Sequence, residues 1–158
     1  TTEKAVQLFE KFHIFTRAEL ESREEIIYET YAKSINIEAL TMIDMASKQI
    51  IPAVVKYSQK LAKTVLDVKA AGVEPVVQSE LLAKVNSKLT EMKEALSVLE
   101  KEEAAASAME DVKAQSFRYK DVVIPAMDAL RAPADELEMM VDKADWPFPT
   151  YGDLMFEV

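Results

Sequence analysis

The residue types that could bind a metal or act as a nucleophile are few in this chain, which has one histidine, His13, and no cysteine. Glu10 and His13 have the Glu-x-x-His spacing that places a carboxylate and an imidazole on one helix face in di-iron bundles. Those sites need two such steps, and one histidine supplies only one. The residues therefore favour a half-exposed structural histidine and argue against a di-iron oxidase.

The other charged clusters are most simply explained as solvated helix faces. Adjacent glutamates point to different sides of a helix, so they do not pair for acid and base work. Lysines at helical spacing could form an anion-binding stripe, but acidic residues outnumber basic ones in the chain. The residues concerned are Glu24–Glu25, Glu102–Glu103, Glu136 with Glu138, and Lys48, Lys56, Lys60 and Lys63.

Neither a phosphate loop nor a nucleophile elbow is present, because the two glycines, Gly72 and Gly152, are isolated and no Gly-x-Ser-x-Gly stretch exists. Methionines such as Met109, Met127 and Met139–Met140 could line a partner groove, but at helical spacing they favour core packing. We therefore expect no catalytic residue, no cofactor-binding residue and no metal ligand in this chain.

The charge balance and composition exclude several classes of partner. Nineteen basic against twenty-eight acidic residues give a formal charge of −9, which repels nucleic acid and anionic membranes. No apolar run approaches the roughly 18 residues needed to span a bilayer. The lack of cysteine fits a cytoplasmic protein, and the start at Thr1 without a methionine is what an excised piece would show.

The fold is predicted to be all-α, because glycine is nearly absent and Ala, Glu, Lys, Leu, Met and Val dominate. We expect one helical domain, 1–158, built as an antiparallel bundle of long, proline-kinked helices with an extended aromatic C-terminal tail. Its parts are a short helix and connection (1–15), a long helix kinked near Pro52 (16–71), a second helix (76–104), a third helical region with Pro125 and Pro133 (107–143) and a docking tail (144–158).

Local signals set the expected helix ends. Thr16–Glu19 and Ser22–Glu25 are both capping-box sequences, and a helix begins at one of them. Gly72 followed by Pro75 predicts a stop and a restart. Ser107–Glu110 is a further capping-box candidate, which favours a turn near 101–107, although the alanines there would also continue a helix. Pro133 is expected to begin a terminal helical piece.

Two four-residue stretches resemble each other, Ile50-Ile-Pro-Ala53 and Val123-Ile-Pro-Ala126. Such a likeness is too short to indicate a repeat. It is either coincidence or a sign of shared packing.

The last thirteen residues, Trp146–Val158, are too apolar to remain free in water, and their two prolines predict extended backbone. This tail must dock, either on its own bundle or on another domain or subunit; the residues leave both open. The expected contact residues are Ile26, Tyr28, Tyr31, Trp146, Phe148, Tyr151 and Phe156.

Three segments resemble the C-terminal region of type III glutamine synthetases, the large-subunit class of glutamate–ammonia ligases. The first runs from Ser22-Arg-Glu-Glu-Ile26 through Ile35–Leu40 to Ile50–Val54. The second runs from Val123-Ile-Pro-Ala-Met127 through Leu130-Arg131 to Ala134–Glu138. The third is Trp146-Pro-Phe-Pro-Thr-Tyr-Gly-Asp153.

The resemblance implies a non-catalytic C-terminal module of an enzyme of nitrogen metabolism that makes glutamine from glutamate and ammonia with ATP. In that family ATP and Mg2+ or Mn2+ bind in an upstream β-barrel domain, at sites shared between subunits of a ring, and two hexamers stack. The implied partners are that catalytic domain and other subunits of a homo-oligomer. No active-site residue is carried over, since the upstream motifs are absent. The alternative is a free-standing helical adaptor that binds a protein partner.

Overall fold

The computed structural model describes residues 1–156, apart from the side chain of Tyr151. Within these residues the chain is helical and contains no strand, which confirms the predicted all-α class. The α-helices are α1 (Glu3–Lys11), α2 (Arg17–Met45), α3 (Ile51–Ala70), α4 (Val76–Ser107), α5 (Val112–Arg118), α6 (Ile124–Glu138) and α7 (Tyr151–Phe156), and π-helical turns at Ala46–Ile50 and Tyr119–Val123 join α2 to α3 and α5 to α6.

Three long helical runs make the body of the molecule. The first is α2 with α3, the second is α4, and the third is α5 with α6; α4 packs against both α3 and α6. Two side-chain contacts show that α4 runs antiparallel to α2 and α6. Asn36 of α2 contacts Glu103 near the end of α4, and Lys88 in the first half of α4 lies 3.0 Å from Glu136 near the end of α6.

The core lies between these runs and is apolar. On α4 the fully buried positions recur at steps of three, four and seven residues, as expected for one helix face. The fully buried side chains of the core include Val54, Val85, Met92, Leu96, Leu99, Tyr119, Val123, Leu130 and Leu137.

The start of α2 is fixed by the first of the two predicted capping boxes. The Thr16 hydroxyl accepts the Glu19 backbone N–H at 3.4 Å, and Glu19 Oε2 accepts the Thr16 backbone N–H at 2.8 Å. The Thr16 backbone N–H and hydroxyl both donate to Glu19 Oε2, and these two bonds lower the pKa of Glu19. Ser22, the other candidate, lies inside the helix.

The expected turn near 101–107 and the cap at Ser107 are wrong. Helix α4 continues to Ser107, because Ala104–Ala106 are strong helix formers. The Ser107 hydroxyl donates back to the Ala104 carbonyl at 3.2 Å instead of capping forward. The next helix begins after Asp111, whose Oδ1 accepts the Ala114 N–H at 2.7 Å, and aspartate is among the preferred N-caps.

Each of the two Ile-Pro stretches follows a π-helical turn. The Ile51 N–H bonds to the Ala46 carbonyl, five residues back, and the Ile124 N–H bonds to the Tyr119 carbonyl in the same way. A proline ring clashes with the carbonyl four residues before it in a regular α-helix, and a wider π turn just ahead of the proline relieves that crowding. The likeness of the two stretches therefore reflects a shared local structure, while a change of helix direction at Pro52 stays a prediction.

Pro133 does not begin a new helix as expected, because α6 runs through it. Its ring is buried in the bundle. Burial of this apolar ring offsets part of the cost of the missing backbone hydrogen bond.

Gly72 ends α3 in the way the sequence predicts. Its φ is +84°, and the Val73 N–H bonds to the Val68 carbonyl while the Gly72 N–H bonds to the Lys69 carbonyl. This is the Schellman arrangement, which satisfies the last carbonyls of a helix.

Replacing Gly72 by alanine is expected to lower the free energy of unfolding by about 1–2 kcal/mol, because an L-residue disfavours a left-handed backbone. An added Cβ would meet no atom within 4 Å, so the cost comes from the backbone alone. Asparagine tolerates this conformation better, so Gly72→Asn should cost less in a urea titration. An asparagine variant as unstable as the alanine variant would contradict this explanation.

Candidate interface surfaces

The first part of the C-terminal tail packs on its own bundle. Trp146 and Phe148 are half-buried against the core. They help line an apolar cleft of about 260 Å³, together with Met42, Met45, Ala46, Ile50, Met92, Leu130, Arg131, Ala134, Asp135, Glu138, Pro149 and Leu154. Among the predicted contact residues, these two aromatics therefore stabilise the domain itself.

A buried carboxylate ties this part of the tail to α3. Only 3% of the Asp145 side chain is exposed, and its two oxygens accept from Lys60 Nζ at 2.7 and 2.6 Å. Lys56 Nζ lies 3.8 Å away. Lys56 and Lys60, two of the four lysines considered above for an anion-binding stripe, thus face an internal carboxylate, which fits a structural role better than an anion site. Burial, with Asp142 and Asp145 adding to it, raises the pKa of the nearby Tyr57.

The end of the tail is a short helix, so the prediction of extended backbone is wrong for residues 151–156. Thr150 and Asp153 form a reciprocal cap: Asp153 Oδ2 accepts the Thr150 N–H at 2.9 Å, and the Thr150 hydroxyl accepts the Asp153 N–H at 3.3 Å. Asp153 also pairs with Lys143. The Thr-x-x-Asp spacing is the signal in the sequence that could have predicted this helix.

Helix α7 presents an apolar surface to solvent. Leu154, Met155 and Phe156 are 71%, 72% and 80% exposed. Met139, at the end of the third helical run, is also largely exposed. We call the three residues of α7 the tail patch. The first part of the tail therefore packs on its own bundle, which is one of the two predicted alternatives, while the side chains of Leu154, Met155 and Phe156 are exposed.

The Lys143 ammonium, together with the Thr150 bonds, lowers the pKa of Asp153 from its ordinary value of 3.8 to about 2. A carboxylate with a lowered pKa stabilises the fold above its unfolded pKa and loses that effect as pH falls through its folded pKa. We expect the anchoring of α7 to be complete above pH 4 and to weaken toward about pH 2. Carbon-13 NMR of the Asp153 carboxyl checks this, with Lys143→Met as a control expected to raise the midpoint. Titration of wild-type Asp153 near 3.8 would contradict it.

The predicted contact residues of α2 differ in exposure. Ile26 is 56% exposed, and Tyr31 is less exposed, at 36%. Tyr28 is half-buried, its ring centroid 6.1 Å from that of Phe117, and its hydroxyl donates to Glu24 at 3.1 Å. Tyr28 therefore joins α2 to α5. Ile37 and Leu40, which were not among the predicted contact residues, are exposed on the same side of α2 as Ile26, beginning about 16 Å further along the helix, and we call these three residues the α2 patch. The Tyr151 side chain lies outside the described residues.

A polar cluster lies inside the bundle. The Asn36 amide donates to Glu103 Oε1 at 2.6 Å and to the Tyr119 hydroxyl at 2.8 Å. Glu103 is buried, so the prediction of a solvated face at Glu102–Glu103 is wrong for that residue. Burial raises the pKa of Tyr119, which keeps its hydroxyl protonated. The neighbouring Glu102 pairs with Arg118 of α5.

His13 lies in the turn between α1 and α2. It is exposed and has a positive φ of 52°, and its backbone N–H donates to the Glu10 carbonyl at 3.0 Å. The Glu10 carboxylate accepts the Arg17 backbone N–H at 3.2 Å, so it supports the same turn. Across residues 1–156, no group of three or more histidine, aspartate or glutamate side chains is arranged to hold a metal ion.

The described part of the chain is thus a helical domain with packing contacts and exposed apolar patches. Its helices, within that part, do not combine the length and hydropathy needed to cross a bilayer. Its described residues therefore place the chain in the class of all-helical domains.

Comparison with known proteins identifies the family. The model of the glutamine synthetase C-terminal domain matches residues 1–69. A glutamine synthetase of Butyrivibrio fibrisolvens is 33% identical over 159 residues, covering 99% of this chain and 23% of the relative. The type-3 glutamine synthetase of Dictyostelium discoideum is 31% identical, covering 98% and 22%, and a glutamine synthetase of Bacteroides fragilis is 28% identical, covering 90% and 20%.

Over nearly its whole length the chain is thus related to the C-terminal part of glutamine synthetases, as its resemblance to that family predicted. It spans less than a quarter of the length of these curated relatives.

Proposed function

We propose that this chain is the non-catalytic C-terminal module of a type III glutamine synthetase, whose parent reaction joins ammonia to glutamate with ATP in the cytoplasm. The module packs against an upstream catalytic domain and supports assembly of a homo-oligomer. ATP and Mg2+ or Mn2+ belong to that upstream domain. The similarity to relatives more than four times as long supports this proposal.

The observation that carries the assembly role is the tail patch. Three large apolar residues, Leu154 to Phe156, stand at least 71% exposed on a helix whose start is capped and ion-paired to the bundle. Clustered apolar side chains in water are unfavourable and mark surfaces that become covered in the assembled protein. The α2 patch is a second exposed apolar surface, more widely spaced along its helix.

The test uses the full-length enzyme with one charge placed in each patch, Ile26→Glu or Phe156→Glu. Charges buried at an interface lower association strongly, so we expect the particle mass from light scattering to fall at fixed protein concentration. Gln59→Glu, at an exposed polar position of α3, is the control and should leave the mass unchanged. Particles of normal mass and activity in both variants would contradict the assembly role.

Deleting residues 146–158 would be a less specific test. That truncation removes Trp146 and Phe148, which pack on the core. It would destabilise the module as well as remove the tail patch. The point substitutions at exposed residues separate these two effects.

A further inference from the structure

A third apolar surface lies at the start of the chain. Leu8, Phe12 and Ile14 are 55%, 61% and 56% exposed. Leu8 and Phe12 are four residues apart and thus share one side of α1. Ile14 follows in the turn to α2. We call these three residues the α1 patch.

Helix α1 contacts the start of α2 and the turn before it through other residues. Val6 is buried, and the Phe9 and Phe15 rings lie 5.8 Å apart. Arg17 donates to both carboxylate oxygens of Glu3 at 2.7 and 2.9 Å. The α1 patch is therefore displayed away from the contacts that α1 makes with the start of α2.

We infer that the α1 patch is the surface on which the upstream catalytic domain of the same polypeptide docks. This inference rests on the proposed function. In the relatives the matching region is the C-terminal fifth to quarter of the protein, so the remaining chain enters just before Thr1.

The position of the patch favours this occupant over a second subunit. At 1.5 Å per helical residue, Leu8 and Phe12 lie roughly 10–20 Å along α1 from the point of entry. A domain joined there by a short connection has a high effective concentration at the patch and can cover it without a long linker. The tail patch, at the other end of the chain, has no such connection and is left for contacts between subunits.

The test compares two double variants of the full-length enzyme, Leu8→Ser with Phe12→Ser, and Gln7→Ser with Lys11→Ser as a control. All four positions are exposed, three of them on α1 and Phe12 directly after its last residue. If the upstream domain docks on the patch, the first variant exposes the junction before Thr1. Limited proteolysis should then release a fragment near 17.8 kDa about tenfold faster than in the control.

Two further measurements make the result decisive. The melting temperature of the 158-residue chain should be the same for both double variants, because the substituted side chains are exposed. A lower melting temperature for the Leu8/Phe12 variant would show that the patch stabilises the module itself, and it would overturn the inference. Equal cleavage rates in the full-length enzyme would also overturn it. A native subunit that consists of this chain alone would instead refute the proposed function, and the inference would fail with it.

Discussion

Replacing Leu99 by alanine is expected to lower the free energy of unfolding of this domain by about 2–5 kcal/mol. Leu99 is fully buried on α4 and belongs to the core that all three long helical runs share. Truncation removes its apolar contacts and leaves a cavity that surrounding helices fill only in part. Since a domain of this size is stable by only about 5–15 kcal/mol, the loss is a large fraction of the total.

The adjacent residue provides a matched control. Val98 directly precedes Leu99 on α4 but is 52% exposed. Val98→Ala should therefore change the free energy of unfolding by about 0.5 kcal/mol or less. Urea unfolding followed by circular dichroism measures both variants. Similar losses for the two substitutions would show that α4 does not occupy the centre of the bundle.

Replacing Asn36 by leucine is expected to cost about 1–3 kcal/mol, although the new side chain is more apolar. The substitution removes the amide that donates to Glu103 and to the Tyr119 hydroxyl. The Glu103 carboxylate would then stay buried without that donor, and an unsatisfied buried polar group costs more than a hydrogen bond normally contributes.

A double-mutant cycle tests this interpretation. Adding Glu103→Leu to Asn36→Leu removes the unsatisfied carboxylate, so the double variant should recover part of the lost stability. Asn86→Leu, at an exposed position of α4, is the control and should be nearly neutral. Strictly additive losses at Asn36 and Glu103 would contradict a direct energetic link between them.

Features with a local cause were predictable from the sequence. The Thr16 capping box and the Gly72 stop each depend on residues within one helical turn, and both have the expected geometry. The apolar residues that are buried on α4, among them Val85, Met92, Leu96 and Leu99, also recur at helical spacing. These signals fix the all-α class because short-range patterns determine helix ends and faces.

Features that depend on distant partners were not predictable. Glu103 is buried because Asn36, which is 67 positions away in the chain, meets it across the bundle. Asp145 is buried against Lys60, 85 positions away. Neither contact has a local signature. The division of the tail into a packed part and an exposed helix also depends on tertiary contacts, although the Thr150–Asp153 cap was visible in the sequence.

The resemblance to glutamine synthetases and the structure support each other at different levels. The resemblance predicted the family, while the structure separates residues that hold the domain together, such as Tyr28, Trp146 and Phe148, from exposed residues such as Ile26 and Phe156. Sequence alone grouped all of these as contact residues. The exposed members are the ones that the assembly proposal now rests on.

The central claim is that this domain is the C-terminal module of a much larger glutamine-forming subunit. An antibody against the domain, applied to source cells, measures the mass of the native polypeptide, and the precipitate can be assayed for ATP-dependent glutamine formation. We predict a subunit several times larger than 17.8 kDa with activity. A native band near 17.8 kDa without activity would contradict the account and would leave a free-standing helical adaptor.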